Sequence, residues 1–471
     1  MTNIQSKPSV RFTEGKIFKK LVLFVLPIMA TNLLQTFYNA ADMMVVSLSD
    51  EVNAVGAIGT TISFLSMVLN VFIGFSVGAN VMVARYIGAK DDDGVKKAVH
   101  TALIMAVLFG VLGAVIGIVF ARPVLTWMGN TGSLLELAVR YSYIYILGVP
   151  FMALTNFLSA IFRAKGNAKL PLVVLASTGI VNVILNLFFV LVCGMSVEGV
   201  AIATAAANLL SVVILLVKLC REQDCTRFSF KHLKIDKEAF KRILYIGLPA
   251  GIQGALFSIS NMLIQSSIVT VNNALVPSGN DYQPIVNGNA AAGNLDGFVY
   301  TSINAVSQGV ITFTSQNIGA QKPERVKPIM YNSFLISIII GVTMSFAIIA
   351  FQQPLLSLYG VQASAEGSLE TLAYEAAVTR LWWVCAPYFT CGLMDNCSGV
   401  LRGLGKSLTS TIVSLIGACL FRVVWLLTVF PAFPTLEMIY ISYPISWILV
   451  ISIDFIIIQT LMKKLIKAKA A

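Results

Sequence analysis

The chain has 471 residues, of which 57% are hydrophobic and only 12% are charged, and its mean hydropathy is +0.82. A single soluble core cannot bury so many apolar side chains, so this composition excludes a soluble globular protein and predicts one embedded in lipid. The formal net charge of +11 would suggest a nucleic-acid partner for a soluble protein, but in a membrane protein the distribution of Lys and Arg among the loops indicates the topology.

The apolar residues fall into long runs that are typical of membrane-spanning helices, each of about 20 residues or more. Residues 1–17 are polar, and the run after them is too long for a signal peptide and has no small-residue cleavage site behind it. We therefore expect the first run to be a retained span. The twelve predicted spans are 21–46, 54–83, 98–120, 138–162, 170–192, 198–220, 243–270, 290–316, 328–352, 375–401, 408–430 and 438–462.

Two sequence motifs recur in the second half of the chain. Leu26–Pro27 reappears as Leu248–Pro249, at an offset of 222 (248 minus 26), and Ile87–Ala89 reappears as Ile318–Ala320, at an offset of 231 (318 minus 87). Internal symmetry of this kind is a feature of many secondary transporters, and six spans in each half place both halves in the membrane in the same direction. The predicted fold is an all-α polytopic membrane protein with twelve transmembrane helices in two pseudo-symmetric six-helix bundles.

The predicted domains follow from this repeat. They are an N-terminal segment (1–17), an N-terminal six-helix bundle (18–220), a linker (221–239), a C-terminal six-helix bundle (240–462) and a C-terminal tail (463–471).

The basic residues indicate the orientation of the chain. Of the 33 lysines and arginines, five precede the first span, eight lie in the central segment 218–242, four follow the last span and twelve lie in alternate loops between the spans, which makes 29. Because loops rich in Lys and Arg stay in the cytoplasm, both termini and the linker are predicted to be cytoplasmic. We expect a multi-pass membrane protein with the lipid bilayer and no nucleic acid among its partners.

Few residues could bind ATP, relay protons or hold a cofactor. Gly405–Ser407 resembles the end of a phosphate-binding loop, but Val400 stands where that loop needs its first glycine. The two histidines, His100 and His232, lie in or beside loops, and the seven cysteines indicate neither a disulfide framework nor a zinc site. No enzyme activity, cofactor or firm metal site is expected. Transport driven by an ion gradient would instead need an ionisable group inside a span.

Asp42 in the first span is the first candidate for that group. Asn39 and Tyr38 precede it by three and four residues, so they share its helical face. Burial inside a span disfavours the charged form of a carboxylate, so the group can bind a proton or pair with a cation such as sodium. The alternative is that Asp42 is a solvated residue at the outer interface.

Three polar residues of the fifth and sixth spans are expected beside Asp42. Asn182 and Asn186 share a helical face, and counting residues at about 1.5 Å of helix rise each places Asn186 and Thr204 at the depth of Asp42. The sequence therefore predicts a polar pocket in the N-terminal half. The alternative for the two asparagines is that they join helices by hydrogen bonds.

A further motif, Arg-x-x-Gly, follows the fourth and tenth spans at Arg163 and Arg402, at an offset of 239 (402 minus 163). Both arginines are expected to be snorkelling anchors at the inner interface. Asn156 and Asp395 precede them by seven residues, so they are symmetry mates and candidates for a substrate or cation pocket.

Three charged residues of the later spans have two interpretations. Asp395, Asp454 and Arg422 are expected either to form a structural ion pair or triad inside the bundle or to take part in transport. The sequence leaves these alternatives open.

Together these motifs resemble the multidrug and toxic compound extrusion family. The likeness rests on Leu-Pro at the start of each half, Ile-Gly-Ala after the second and eighth spans and Arg-x-x-Gly after the fourth and tenth. It also rests on Val181–Asn186 followed by Gly199–Thr204. The resemblance implies an outward-opening, V-shaped pair of bundles that exports organic cations in exchange for sodium ions or protons across the bacterial inner membrane. We expect the protein to act as a monomer.

The resemblance also implies roles for individual residues. Asp42, Asn182 and Thr204 match residues that couple ion binding to transport in the family. Asn186 is a departure, because many members carry an aspartate there, and the proline that often follows is Leu187. Losing that carboxylate removes one negative charge from the predicted pocket.

Two other functional classes remain open from the sequence. A flippase for lipid-linked oligosaccharides or other amphipathic substrates would use the same spans but needs a basic cavity for a pyrophosphate group. A polytopic membrane enzyme or a channel is the third class, although the loops show no His-Asp or Cys-His arrangement and no filter-like repeat.

Overall fold

The structure is a computed structural model that describes residues 12–46, 48–49, 54–128, 132–276, 283–365 and 368–470. In the first half, long apolar runs form helices that begin and end near polar or glycine-containing loops. They are α1 (Ile17–Val46), α2 (Ala54–Ala89), α3 (Asp92–Trp127), α4 (Gly132–Leu147), α5 (Val149–Ala164), α6 (Lys169–Leu187, continued by a π-helical turn to Val192) and α7 (Val197–Cys220).

The second half repeats this arrangement with more interruptions. Its elements are α8 (Lys237–Leu275), α9 (Pro284–Gly319), α10 (Val326–Ala350), α11 (Gln352–Ser357), α12 (Leu369–Arg380), α13 (Tyr388–Gly403), α14 (Ser407–Ser414), α15 (Phe421–Thr428), α16 (Leu436–Tyr440) and α17 (Ser442–Ala470). Short 3₁₀ turns at Phe230–His232 and Pro323–Arg325 precede α8 and α10, and π-helical turns at Leu381–Cys385 and Leu415–Leu420 follow α12 and α14.

The twelve predicted spans all appear as helical passages, so the predicted all-α fold is confirmed. Nine helices of the described residues are long and apolar enough to cross a membrane, and the α4–α5 pair, bent by 46°, makes a tenth. The remaining passages, α9 and α12–α13, carry many polar side chains on faces buried inside the protein. The span predicted over 138–162 is present but broken, because α4 ends at Leu147 and α5 begins at Val149 with Pro150 in its first turn.

Most of the basic loops lie at one end of the helices. We call this the basic end and define it by Lys90, Lys165, Lys234 and Lys322. Toward this end the two halves pack tightly, with α2 against α8 and α9. A Cβ atom on Gly74 of α2 would lie 2.2 Å from the backbone nitrogen of Gly251 in α8. Only glycine permits an approach this close.

The two Ile-Gly-Ala motifs contact each other where α2 and α9 end. A Cβ atom on Gly88 would lie 2.0 Å from the carbonyl oxygen of Gln316, and one on Gly319 would lie 1.9 Å from the carbonyl oxygen of Arg85. The repeat found in the sequence is therefore a crossing point between the halves that closes the basic end.

Residues 12–16 pack against this crossing. The backbone N–H of Phe12 donates to Oε1 of Gln316 at 2.9 Å, and its ring stacks on Phe313 with 4.0 Å between ring centroids. Gln316 in turn donates from Nε2 to the carbonyl oxygen of Ala164 at 2.8 Å. The N-terminal segment, α9 and α5 are thus joined at the basic end.

Candidate functional site

A polar cluster between α1, α6 and α7 surrounds Asp42. Asn186 donates from Nδ2 to Oδ1 of Asp42 at 2.5 Å, and the hydroxyl of Thr204 donates to Oδ2 at 3.4 Å. Asp42 is only 9% exposed and Asn186 is fully buried. The alternative of a solvated Asp42 at the interface was therefore wrong, and the structure brings together the residues that the depth calculation grouped.

Asn182 completes this cluster. Its Nδ2 donates to the hydroxyl of Thr204 at 3.3 Å, and its Oδ1 accepts from Nδ2 of Asn186 at 3.3 Å. When the oxygen and nitrogen of the Asn182 amide exchange places, Nδ2 instead donates to Asp42 Oδ1 at 3.1 Å. Oδ1 of Asn186 is buried and has no hydrogen-bond partner among the described residues. The cluster thus surrounds the Asp42 carboxylate with neutral donors and leaves one amide oxygen, Oδ1 of Asn186, without a donor among the described residues.

A cavity of about 300 Å³ opens beside this cluster in the N-terminal half. Tyr38, whose hydroxyl donates to the carbonyl oxygen of Ala176 at 3.2 Å, lines it on the α1 side. Asn186 is fully buried and does not line the cavity, but it donates hydrogen bonds to Asp42 and Asn182, which do. The predicted site residues that line the cavity directly are Tyr38, Asn39, Asp42, Asn156, Asn182 and Thr204.

A second cavity, of about 220 Å³, lies between the two halves. Asn156 lines both this cavity and the one in the N-terminal half. Arg163 and Arg402 also line it, and Arg402 donates from Nη2 to Oε1 of Gln253 at 3.0 Å. Their predicted role as snorkelling anchors was wrong, because α5 and α13 are surrounded by other helices and their arginines point inward.

The third cavity, of about 510 Å³, belongs to the C-terminal half and the interface. Asp395 lines it and accepts a hydrogen bond at Oδ2 from Asn304 of α9 at 3.3 Å. Asn304 and Arg402 line both this cavity and the one between the halves. The three cavities are thus linked through shared residues into one chamber.

The predicted ion pair or triad of Asp395, Asp454 and Arg422 is not formed. In the part of the chain that the structure describes, no two of these side chains approach within the 4.0 Å of a salt bridge. Asp454 accepts from Ser398 at 3.2 Å, whereas Arg422 donates from Nε to Ser446 at 2.9 Å. That interpretation was therefore wrong, because the helices that carry these residues present them to different neighbours.

The buried ion pair of this half is one that the sequence analysis missed. Nε of Arg380 on α12 donates to Asp296 of α9 at 2.9 Å, and its Nη1 donates to Oδ1 of Asn289 at 2.8 Å. Tyr440 also donates to Oδ1 of Asn289, at 3.0 Å. The sequence feature that could have predicted this pair is that Arg380 and Asp296 each lie within a predicted span, where a lone charge needs a partner.

A metal centre of several acidic or thiol ligands has no place in the described residues. They contain no group of three or more His, Cys, Asp or Glu side chains that could hold an ion, and all seven cysteines are free thiols. Any cation at Asp42 would be held by one carboxylate and by amide and hydroxyl oxygens.

Comparison with known proteins identifies the family. The MatE family model matches residues 27–188 and 249–427, which together are well over half of the chain. The chain belongs to the MatE family. The two matched regions begin at Pro27 and Pro249, the prolines of the Leu-Pro repeat. The family resemblance found in the sequence is confirmed, and the protein is a transporter rather than an enzyme.

Individual relatives are similar over most of their length. The chain is 27% identical to the probable multidrug resistance protein YoeA of Bacillus subtilis (strain 168), over 88% of this chain and 86% of that one. It is 24% identical to the multidrug export protein MepA of Staphylococcus haemolyticus (strain JCSC1435), over 72% and 73% of the two chains.

Solved structures share the fold. One described as an outward-facing conformation of a multidrug resistance MATE family transporter has a TM-score of 0.86 and 20% identity, covering 98% of this chain and all of that one. Another, from Pyrococcus furiosus, is described as having a binding pocket of reverse polarity and has a TM-score of 0.87 at 20% identity, over 98% and 99% of the two chains. At this identity the likeness establishes the fold alone.

Proposed function

We propose that this MatE transporter is a secondary active antiporter that exports organic cations across the bacterial inner membrane in exchange for protons or sodium ions. The names of its relatives in Bacillus and Staphylococcus support a role in multidrug export. The basic loops support a cytoplasmic basic end with both termini on that side. In this proposal the crossing of α2 and α9 closes the cytoplasmic side of the chamber.

The observation that carries the proposal is the environment of Asp42. Its carboxylate is buried and contacts the neutral donors Asn186 and Thr204, and no Lys or Arg of the described residues lies within salt-bridge distance of it. A buried carboxylate is stable only when its charge is compensated or when it is protonated. Asp42 is therefore suited to hold one mobile cation at a time.

Exchange follows if the coupling ion and the substrate compete for this charge. An ion shifts the balance between two conformations only if its affinity differs between them. The cluster joins α1 to α6 and α7, so a proton or sodium ion that displaces the amide or hydroxyl donors would change how these helices pack. The substrate cation would then leave as the coupling ion binds.

The test is transport by the purified protein in proteoliposomes, with pH and sodium gradients imposed separately and a cationic dye as substrate. We expect Asp42→Asn to abolish ion-driven dye transport, because the amide cannot exchange a cation. Asp93→Asn is the matched control, since Asp93 is an exposed acid that pairs with Lys97 four residues later on α3. Transport by Asp42→Asn at the wild-type rate under both gradients would refute the coupling role.

A flippase for lipid-linked oligosaccharides is the second candidate, and one observation favours it. Arg163 and Arg402 line the chamber together with Arg422, so the chamber is more basic than the sequence suggested. Guanidinium groups bind pyrophosphate well. Reconstituted protein that moves a fluorescent polyprenyl-pyrophosphate oligosaccharide between leaflets, and no cationic dye, would favour the flippase over the antiporter.

A further inference from the structure

Arg422 is a buried arginine without an acidic partner in the part of the chain that the structure describes. It lies on α15, is 3% exposed and lines the cavity of the C-terminal half. Its Nε donates to Ser446 at 2.9 Å, but its Nη2 has no hydrogen-bond partner, and no carboxylate of the described residues forms a salt bridge with it. The Arg380–Asp296 pair shows that this half of the protein compensates its other mid-span arginine.

Two aromatic rings hold the Arg422 side chain in place. The guanidinium carbon lies 4.1 Å from the centroid of the Tyr443 ring and 5.8 Å from that of Trp447, and both rings also line the cavity. Stacking on an aromatic face fixes the plane of a guanidinium without neutralising its charge. The donors that remain are directed along the edge of that plane, which is the geometry that a carboxylate recognises.

The cavity between the halves is lined by Arg163 and Arg402, and the two cavities on either side of it differ in the charged residues that line them. The cavity of the N-terminal half has one, Asp42, and carries a charge of −1. The cavity of the C-terminal half has Arg402, Arg422 and Asp395, which sum to +1. Burial of an uncompensated positive charge is unfavourable, so the C-terminal side favours a ligand group with one negative charge.

We propose that Arg422 binds the anionic group of an amphipathic organic substrate, a carboxylate in the simplest case, so that the preferred substrates are zwitterions rather than simple cations. This inference rests on the proposed antiport function and specifies its substrate class. Arg422 fixes the substrate through its acid, while the positive part of the substrate remains available for exchange with the coupling ion.

The test compares two xanthene dyes that share a cationic chromophore, one with a free carboxylate and one with its methyl ester. Binding to the purified protein in nanodiscs is measured by fluorescence anisotropy. We expect wild type to bind the acid roughly tenfold or more tightly than the ester, which is the range of a hydrogen bond to a charged group. Arg422→Gln should remove this preference by weakening the acid alone, and Arg422→Lys should keep part of it.

The matched control is Arg140→Gln, since the Arg140 side chain is 65% exposed and pairs with Glu198 outside the chamber. Equal binding of acid and ester by wild type overturns the proposal, and this comparison needs no variant. Equal weakening of both dyes by Arg422→Gln also overturns it, because that result indicates a structural role. Displacement of the acid dye by polyprenyl pyrophosphate but not by a simple alkyl carboxylate would assign the site to lipid phosphate instead.

The two proposals fail in different ways. Ion-driven transport of the ester without any preference for the acid would leave the antiporter intact and reject the role of Arg422. A preference for the acid that depends on Arg422, without transport under either gradient, would retain the binding site and reject antiport.

Discussion

Replacing Gly88 or Gly319 with alanine is expected to open the basic end. The added Cβ atom would lie 2.0 Å from the Gln316 carbonyl oxygen in the first variant and 1.9 Å from the Arg85 carbonyl oxygen in the second. Real Cβ atoms do not approach other heavy atoms to less than 3.0 Å. The backbones of α2 and α9 must therefore separate by at least 1.0 or 1.1 Å (3.0 minus 2.0 or 1.9 Å).

The cost of this separation follows from the packing it disrupts. Overpacking a tightly packed contact costs about 1–3 kcal/mol. If the transport cycle includes a conformation in which α2 and α9 are apart at the basic end, that conformation does not bear the cost. The population should then shift toward it by about 5- to 150-fold.

The shift can be measured as a loss of thermal stability in detergent and as increased labelling of a chamber cysteine from the basic side. Ser159 lines the chamber, so the variant Ser159→Cys can carry the label after the native cysteines are replaced by serine. Gly59→Ala on α2 and Gly297→Ala on α9 are the controls, since nothing lies within 4 Å of their added Cβ atoms. Alanine at those helix positions should be neutral or stabilising. Identical melting and labelling in all four variants would refute the reasoning.

Two further predictions concern ion pairs. Arg380→Met should lower the free energy of unfolding, measured by chemical denaturation, by about 3–5 kcal/mol, because it leaves buried Asp296 unpaired. In the same assay Arg122→Gln should lower it by at most about 1 kcal/mol, since the pair of Arg122 with Glu136 is exposed. Burial would raise the pKa of Asp224, but hydrogen bonds from Lys165 and Thr226 hold it below its ordinary value. The depressed pKa means that this contact stabilises the linker above the ordinary carboxyl pKa of about 4 and is lost as the pH falls through the folded-state value. Hydrogen exchange in the linker should rise at acid pH in wild type, and at neutral pH in Lys165→Met; unchanged exchange in that variant would contradict this.

The number of spans and the cluster at Asp42 could be predicted because the thickness of the bilayer and the helix rise per residue are nearly constant. A helix rises about 1.5 Å per residue, so residue counting gave the relative depths of Asp42, Asn186 and Thr204. Each of these side chains stands among apolar neighbours, so its helix face was also clear. The structure joins them by hydrogen bonds.

Side-chain direction at the ends of spans could not be predicted in the same way. An arginine near the basic end can extend along its helix to water or turn into the protein, and both are compatible with the sequence around Arg163 and Arg402. The packing of α5 and α13 among other helices decides this, and packing depends on contacts between residues far apart in the chain. The partner of Arg380 is likewise 84 residues away on α9.

The unequal charges of the two cavities follow from how the repeat has changed. The offset of 222 (249 minus 27) places Ile264, 2% exposed, in the second half where Asp42 stands in the first, so the acid has no counterpart there. The offset of 239 (402 minus 163) that relates Arg163 to Arg402 carries Asn182 to Phe421. The π-helical turn Leu415–Leu420 precedes that position, and a π-helical turn uses one residue more than the α-helical turn it replaces. By this count Arg422 stands where Asn182 stands in the first half, so the cavity of the C-terminal half has a guanidinium group at the position that an amide occupies in the cavity of the N-terminal half.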